Sequence, residues 1–233
     1  MESYHPLFAV PMGCFKIEDR FIQPLVNAIY YFSQDESKDW SHALASEFSN
    51  GQEIIIPHNE PTDCEDWEKI RIEFLNSLSK ETIEYVSTAY DIASVDIASI
   101  APDGVGVDLI EVWANIQRPG DYNPVHTHSG HIAGTAFLKV PHKISKDRRI
   151  EQLSKQEKIS LDGSLNFVYG RSWSIEEFSL GGSYRVDPKV GEGYIFPCWL
   201  NHTVYPFKGN PELKENDRIS IAWNYKLNWD RQS

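Results

Sequence analysis

The chain has 233 residues, 41% of them hydrophobic and 12% aromatic, which is enough apolar material for one large domain with a substantial core. Its formal net charge of -12 opposes a phosphate-backbone partner, because such binding rests on Lys and Arg neutralising phosphates. No run approaches the length that spans a bilayer, and Met1-Glu2-Ser3-Tyr4-His5-Pro6 lacks the basic-then-apolar texture of a signal peptide, so a soluble, cytoplasmic protein is expected. The three cysteines, Cys14, Cys64 and Cys198, are scattered without a CxxC, so reduced thiols are expected and neither a disulfide framework nor a zinc site is implied.

Residues 1–104 are predicted to be mainly helical support within a single domain spanning 1–233. Pro24 suits the opening turn of a helix that carries Leu25, Val26, Ile29 and Phe32 on one stripe. A shorter helix is predicted from Trp40 to Phe48, stopped by Asn50-Gly51. Thr62-Asp63-Cys64-Glu65 has the form of a capping box and introduces Trp67, Ile70, Phe74, Leu75 and Leu78 at helical spacing.

From about Val107 the texture changes to short β-branched and aromatic runs separated by Gly, Pro and Asp. The predicted strands are Val107 to Gln117, Gly134 to Val140, Ser164 to Tyr169, Ser183 to Asp187, Gly193 to Phe196 and Arg218 to Leu227. Such a series predicts a sandwich or jelly roll over residues 105–233, buttressed by the N-terminal helices. The polar stretch from Lys143 to Lys158 interrupts it and is expected to be an exposed loop or lid.

The chemistry centres on His126-Thr127-His128. Residues i and i+2 of a strand project from one face, so both imidazoles can aim at one point. Non-haem iron sites use three protein ligands on one face of the metal, most often two histidines and a carboxylate, leaving adjacent positions open. His126 fits the first place and the distal His202 the last, while His128 stands where the carboxylate usually is. His131 lies on the opposite strand parity and is expected to be structural or at the pocket rim, His142 follows a Pro at a strand end and is expected at the surface, and His5, His42 and His58 sit in contexts far from the motif. Downstream, Arg218-Ile219-Ser220 places an arginine and a hydroxyl on one strand face, with Asn224 further along it. A dicarboxylate that chelates a metal by one end leaves a second charge to be buried, and a planar, bidentate guanidinium suits it. The bland alternative for Arg218 is an ion pair with Asp217 or Glu215.

On these residues the C-terminal half resembles the 2-oxoglutarate/Fe(II)-dependent dioxygenase superfamily, most nearly the bacterial and phage oxygenases that carry His-x-His. Asn115-x-x-x-Pro119-Gly120 followed by His126 is similar to the signature of the nucleic-acid-dealkylating branch, in which the asparagine hydrogen-bonds 2-oxoglutarate. The run from Gly191 to His202 resembles the element that carries the distal histidine, and Arg218-Ile219-Ser220 resembles the Arg-x-Ser motif that grips the far carboxylate. The resemblance implies a double-stranded β-helix, mainly β with N-terminal helices. It implies Fe(II) held by His126, His128 and His202, and 2-oxoglutarate held by Arg218, Ser220 and Asn115. The implied activity hydroxylates a small molecule, amino acid or peptide with release of succinate and carbon dioxide. Where the dealkylating branch has a second arginine this chain has Asn224, which with the acidic balance argues against a nucleic-acid substrate. Trp113, Tyr122, Trp173 and Tyr205 are candidates for an aromatic wall, and nothing in the sequence excludes a homodimer. Two alternatives stay open: a three-histidine cupin-type dioxygenase that does not use 2-oxoglutarate, and a non-catalytic jelly-roll binding module.

Overall fold

Alternation along one strand organises the molecule, seen in a computed structural model that describes residues 10–41, 46–101, 104–141, 162–169 and 182–229. In β10 (Arg218–Trp229), Ile219, Ile221, Trp223 and Tyr225 lie on one face and are fully buried, while Arg218, Ser220, Ala222 and Asn224 lie on the other and are buried as well. A strand covered on both faces needs a partner layer on each side. On the first side are helices, and on the second is another sheet.

Strand β10 pairs antiparallel with β3 (Val105–Gln117) and with β5 (Ile132–Lys139). With β1 (Gly13–Lys16), β2 (Gln52–Ile55) and β8 (Glu192–Pro197) they form a six-stranded sheet of order β1-β8-β5-β10-β3-β2. The facing sheet is four-stranded, β4-β9-β6-β7, from Asn123–His126 (β4), His202–Val204 (β9), Leu165–Val168 (β6) and Ser183–Val186 (β7). All strand pairs are antiparallel, and the two sheets make the jelly roll expected from the sequence.

Helices α1 (Asp19–Phe32) and α2 (Glu65–Ile92) cover the outer face of the larger sheet, with the short α3 (Ile97–Ile100) beyond them. Their stripes (Phe21, Leu25, Ile29 and Phe32 from α1; Trp67, Phe74 and Leu78 from α2) close over the outward residues of β3 and β10 in one cluster. Each such side chain contributes about 1.5–3 kcal/mol by leaving water. Trp223 occupies so much of this layer that a Cβ at Gly134 would come within 2.3 Å of its ring. A smaller cluster, including Phe137, Leu165, Phe167 and Phe196, fills the space between the sheets.

The N-terminal third departs from expectation in four places. Helix α1 begins at Asp19 and contains Pro24 in its interior, because Phe21, one turn ahead, buries against Phe74 with ring centroids 5.7 Å apart. The cost is the one helical bond that Pro24 cannot donate. Trp40 to Phe48 is not α-helical at its described ends: Asp39 bridges to Ile54 and Glu47 to Tyr122, Ser41 takes a 3-10 conformation, and residues 42–45 lie outside the described residues. Asn50-Gly51 is instead a turn pressed against β3, where a Cβ on Gly51 would stand 2.1 Å from the Ile116 carbonyl oxygen. At α2 the cap is Cys64 with no side-chain bond; Glu68, one residue deeper than a capping box requires, accepts from Thr62 N–H at 2.9 Å. Strands β1 and β2 lie outside the predicted set; each is four residues long and at least half of its positions are solvent-facing or intermediate. The segment Lys143 to Lys158, together with Trp173, His5, His42 and His142, lies outside the described residues.

Candidate metal centre and adjoining cavity

Three imidazoles converge where β4 meets β9. His126 and His202 are register partners, so their side chains share a face at one level. The strand ends at His126, two residues short of a continuous His-x-His strand. His128 is brought round by the following loop, whose backbone N–H at His128 donates to the Cys198 carbonyl at 2.9 Å. His126 Nδ1–H donates to the Pro124 carbonyl at 2.7 Å, and His202 Nδ1–H to the Leu200 carbonyl at 2.9 Å. A carbonyl can only accept, so the partner fixes each ring's tautomer and leaves Nε2 with its lone pair.

The Nε2 atoms of His128 and His202 are 3.0 Å apart, and one ligand atom from each of the three histidines lies within 4.8 Å of the others. Two nitrogens each about 2.1 Å from one metal at a right angle stand about 3.0 Å apart, so this pair is already spaced as adjacent ligands. Burial pushes all three imidazoles below their ordinary range. His128 falls to about 2, by desolvation and then by His202 and His126, and His202 to about 4, by desolvation and then by His126. Neutral imidazoles are the form that binds a divalent cation. The donor set fits Fe(II), and its three ligands come from one side, as an open site needs.

The histidines form part of the wall of a cavity of about 390 Å³ between the sheets, whose floor is the inner faces of β3 and β10. Strand register lays its residues out in pairs: Arg218 beside Gln117, Ser220 beside Asn115, Ala222 beside Trp113, Asn224 beside Glu111. Trp113 is 3% exposed, and its ring centroid is 5.3 Å from that of His128.

Arg218 is 2% exposed, and desolvation pulls its guanidinium down to about 9. Its Nη1 donates to the Gly163 carbonyl at 2.7 Å, and its Nε is buried with no hydrogen-bond partner among the described residues. No carboxylate of the described residues pairs with it. Asp217 instead receives Arg118 Nε at 3.1 Å, and Glu215 is absent from its contacts. A buried, uncompensated charge is strongly disfavoured, so this guanidinium fits an anionic ligand that the cavity admits. Asn115 contributes a second unmet atom: its Nδ2 reaches Ser220 Oγ at 3.4 Å while Oδ1 is buried without a partner among the described residues.

Other expectations are distributed differently. Asp121, the obvious carboxylate near the histidines, is fully buried and accepts from the backbone N–H groups of Ser49, Asn50 and Arg118, so it holds the Pro119-Gly120 turn. Asp187 is exposed and bonded to Arg185. His131 is exposed and does not line the cavity, its Nδ1 accepting from Leu227 N–H at 2.9 Å. Of the described members of the expected aromatic wall, only Trp113 lines the cavity: Tyr122 is 40% exposed, Tyr205 is not a lining residue, and Trp40, Phe48, Phe137 and Phe196 are lining residues instead. Sequence reasoning missed Glu53, Glu111 and Gln117. Glu53 and Gln117 are each 1% exposed, and Glu53 sits beside Asn115 in the β2–β3 register. Glu111 and Gln117 carry the same strand parity as Trp113 and Asn115, a signal that was available.

Comparison with known proteins agrees with this geometry. The model of the family described as "Putative 2OG-Fe(II) oxygenase" matches residues 111–224, which contain the three histidines, Asn115, Arg218 and Ser220. No curated protein sequence matches the chain. Among solved structures, a prolyl-4-hydroxylase of Pseudomonas putida is 11% identical with a TM-score of 0.51, covering 93% of each chain. A full-length Neurospora crassa protein solved in complex with alpha-KG is 12% identical, TM-score 0.52, over 94% of this chain and 75% of that one. HygX from Streptomyces hygroscopicus, with nickel and 2-oxoglutarate bound, is 9% identical, TM-score 0.50, over 93% of this chain and 82% of that one. At these identities the structures establish the shared fold alone. Over residues 111–224, just under half of its length, the chain is similar to the 2OG-Fe(II) oxygenases, and that stretch holds every candidate metal and co-substrate residue.

Proposed function

We propose that His126, His128 and His202 hold Fe(II) through Nε2, that Arg218, Ser220 and Asn115 hold 2-oxoglutarate, and that the enzyme hydroxylates a C–H bond of a small molecule, amino acid or peptide. Fe(II) with 2-oxoglutarate supplies the oxidising chemistry, in which dioxygen is consumed and succinate and carbon dioxide are released. The chain's own work is positional. The Pro124 and Leu200 carbonyls keep two imidazoles in the ligating tautomer. Ser220 and Asn115 offer a hydroxyl and an amide along the inner face between Arg218 and the histidines. Phe137 and Phe196 help keep the cavity apolar, which strengthens each charge–charge contact inside it.

The observation that carries this reading is Arg218, a buried guanidinium in the histidine-lined cavity with an unmet Nε and no paired carboxylate among the described residues. A three-histidine dioxygenase without 2-oxoglutarate would give that charge no partner. Purified protein loaded anaerobically with Fe(II) should bind one iron per chain and develop the weak visible charge-transfer band of bidentate chelation when 2-oxoglutarate is added. Admission of oxygen should then release succinate. Iron without a band would favour the cupin-type chemistry, and no iron above trace would favour a binding module.

A further inference from the structure

The end of the cavity floor opposite Arg218 has a distinct chemistry. Asn224 and Glu111 face each other there, one register step beyond Trp113, whose ring lies against His128. Six residues of extended strand separate Arg218 from Asn224, about 20 Å. A ligand gripped by Arg218 and chelating at the histidines therefore stops short of this pair, which is left for the primary substrate.

Among the described residues the unmet hydrogen-bonding atom at this end, Asn224 Oδ1, is an acceptor. Asn224 is 1% exposed, and its Nδ2 donates to Glu111 Oε1 at 2.7 Å. A carboxylate cannot donate, so the amide's orientation is settled, and Oδ1 is buried without a partner among the described residues. Ser129 Oγ also donates to Glu111 Oε1, at 3.2 Å, so both donors reach the same carboxylate oxygen. The pattern recurs at Gln117, whose Nε2 donates to the Asp121 carbonyl and whose Oε1 is likewise buried and unmet. Among the described lining residues the carboxylates are Glu53 and Glu111, and the only Lys or Arg is Arg218.

We propose that the primary substrate presents a cationic, hydrogen-bond-donating nitrogen, a primary amine or a guanidinium, to Glu111 and Asn224 at the His128 side of the cavity. The inference rests on the reading of Arg218 as the 2-oxoglutarate anchor, since that removes the one cation from the substrate's share of the space. An ammonium or guanidinium satisfies the Asn224 carbonyl oxygen and neutralises Glu111 in one group, with charge-assisted bonds stronger than neutral ones. An anionic or donor-poor substrate would bury the same acceptors unmet, which disfavours it.

The test uses three probes of similar length and different charge: 1,5-diaminopentane, 1,5-pentanediol and glutarate, with agmatine as the guanidinium probe. Binding is measured calorimetrically on the metal-free full chain. The diamine or agmatine should bind at least about tenfold more tightly than the diol. Glu111→Gln, which keeps an acceptor for Asn224 and Ser129, should bring the cation and the diol to within about twofold. Asp108→Asn, an exposed site on the same strand outside the cavity, should leave the preference intact. Equal binding of diamine and diol, or a preference that survives Glu111→Gln, overturns the proposal. Wild-type protein and Glu111→Gln should both give the Fe(II)–2-oxoglutarate band. Its absence from both would overturn the co-substrate reading, while the charge preference is decided by the calorimetry.

Discussion

Asp217 and Arg218 are adjacent in the chain, opposite in charge and both buried, yet they serve different sides of the molecule. The Asp217 carboxylate accepts from Tyr30 Oη at 2.8 Å and from Arg118 Nε at 3.1 Å, tying the start of β10 to helix α1 and to the turn after β3. The Arg218 side chain enters the cavity, where its guanidinium carbon lies 5.8 Å from the centre of the Phe137 ring. The nearest available counter-charge in sequence is thus already committed. The adjacent pair is also asymmetric in cost: Asp217 is satisfied within the fold, whereas the desolvation of Arg218 is not offset until an anion arrives.

That asymmetry makes a two-sided prediction for Arg218→Met. Without 2-oxoglutarate the variant should be as stable as wild type or more stable, by about 1 kcal/mol or more, because a buried unpaired charge is replaced by a side chain of similar reach. With 2-oxoglutarate it should lose about 3–5 kcal/mol of binding, and Arg218→Lys should recover only part, since the bidentate fork is gone. Urea denaturation and titration of the charge-transfer band measure the two halves. A strongly destabilised metal-free variant would mean that Arg218 has a structural partner.

Metal loading should separate the three histidines. His126→Ala and His202→Ala each remove a ligand held by a strand and a carbonyl, and stoichiometric Fe(II) binding should be abolished with little change in the circular-dichroism spectrum. His128→Asp should retain iron, because it restores the commoner two-histidine, one-carboxylate set. Iron analysis after desalting decides it: wild-type loading in His126→Ala would remove that residue from the site.

The β half is readable because its strands carry a periodicity that survives burial on both faces. Ile219, Ile221 and Trp223 alternate with Arg218, Ser220 and Ala222, so the polar members stand out even in an almost wholly buried strand. The short strands β4 and β9 have four and three residues, too few for alternation to register, and there only the histidines mark the place. Glu53 is invisible for a related reason. In Gln52-Glu53-Ile54-Ile55 it reads as the polar edge of an apolar run, and its burial comes from the chain around Trp40 folding back over β2, with Trp40 N–H bonded to the Glu53 carbonyl at 2.8 Å. That is a tertiary contact which no local pattern encodes. At the described ends of Trp40 to Phe48 the bridges of Asp39 and Glu47 are tertiary contacts of the same kind, and both aromatics line the cavity.

Histidine burial gives the metal-free protein an acid liability. His202 at about 4 and His128 at about 2 lie below the unfolded value of about 6.5, so between these values the unfolded chain binds more protons. The stability contributed by keeping them neutral is full above about pH 6.5 and is lost as the pH falls below it. Between about pH 6.5 and 5 the loss should be on the order of 2 kcal/mol per histidine. Denaturation midpoints at about pH 7.5, 6 and 5 measure it, and saturating metal should oppose it, because ligand binding competes with protonation. A flat profile across this range would mean that the imidazoles are solvated.

Glu53 acts with the opposite sign, and the two effects are separable by one substitution. Burial pushes its carboxyl up to about 7 against a hydrogen bond from Ser46 that pulls the other way, and Asp39 adds a smaller upward push. With a folded value above the unfolded one of about 4.3, the folded protein binds the extra proton between them. The contribution is fully present below about pH 4.3 and is lost as the pH rises through about 7. Glu53→Gln mimics the protonated form at every pH. It should therefore match wild type at about pH 4 and exceed it at about pH 8 by on the order of 3 kcal/mol. The histidines titrate identically in both proteins, so the difference between the two stability curves isolates Glu53. A difference that stays constant from about pH 4 to pH 8 would show that the carboxylate is charged throughout and has a compensating partner in the cavity.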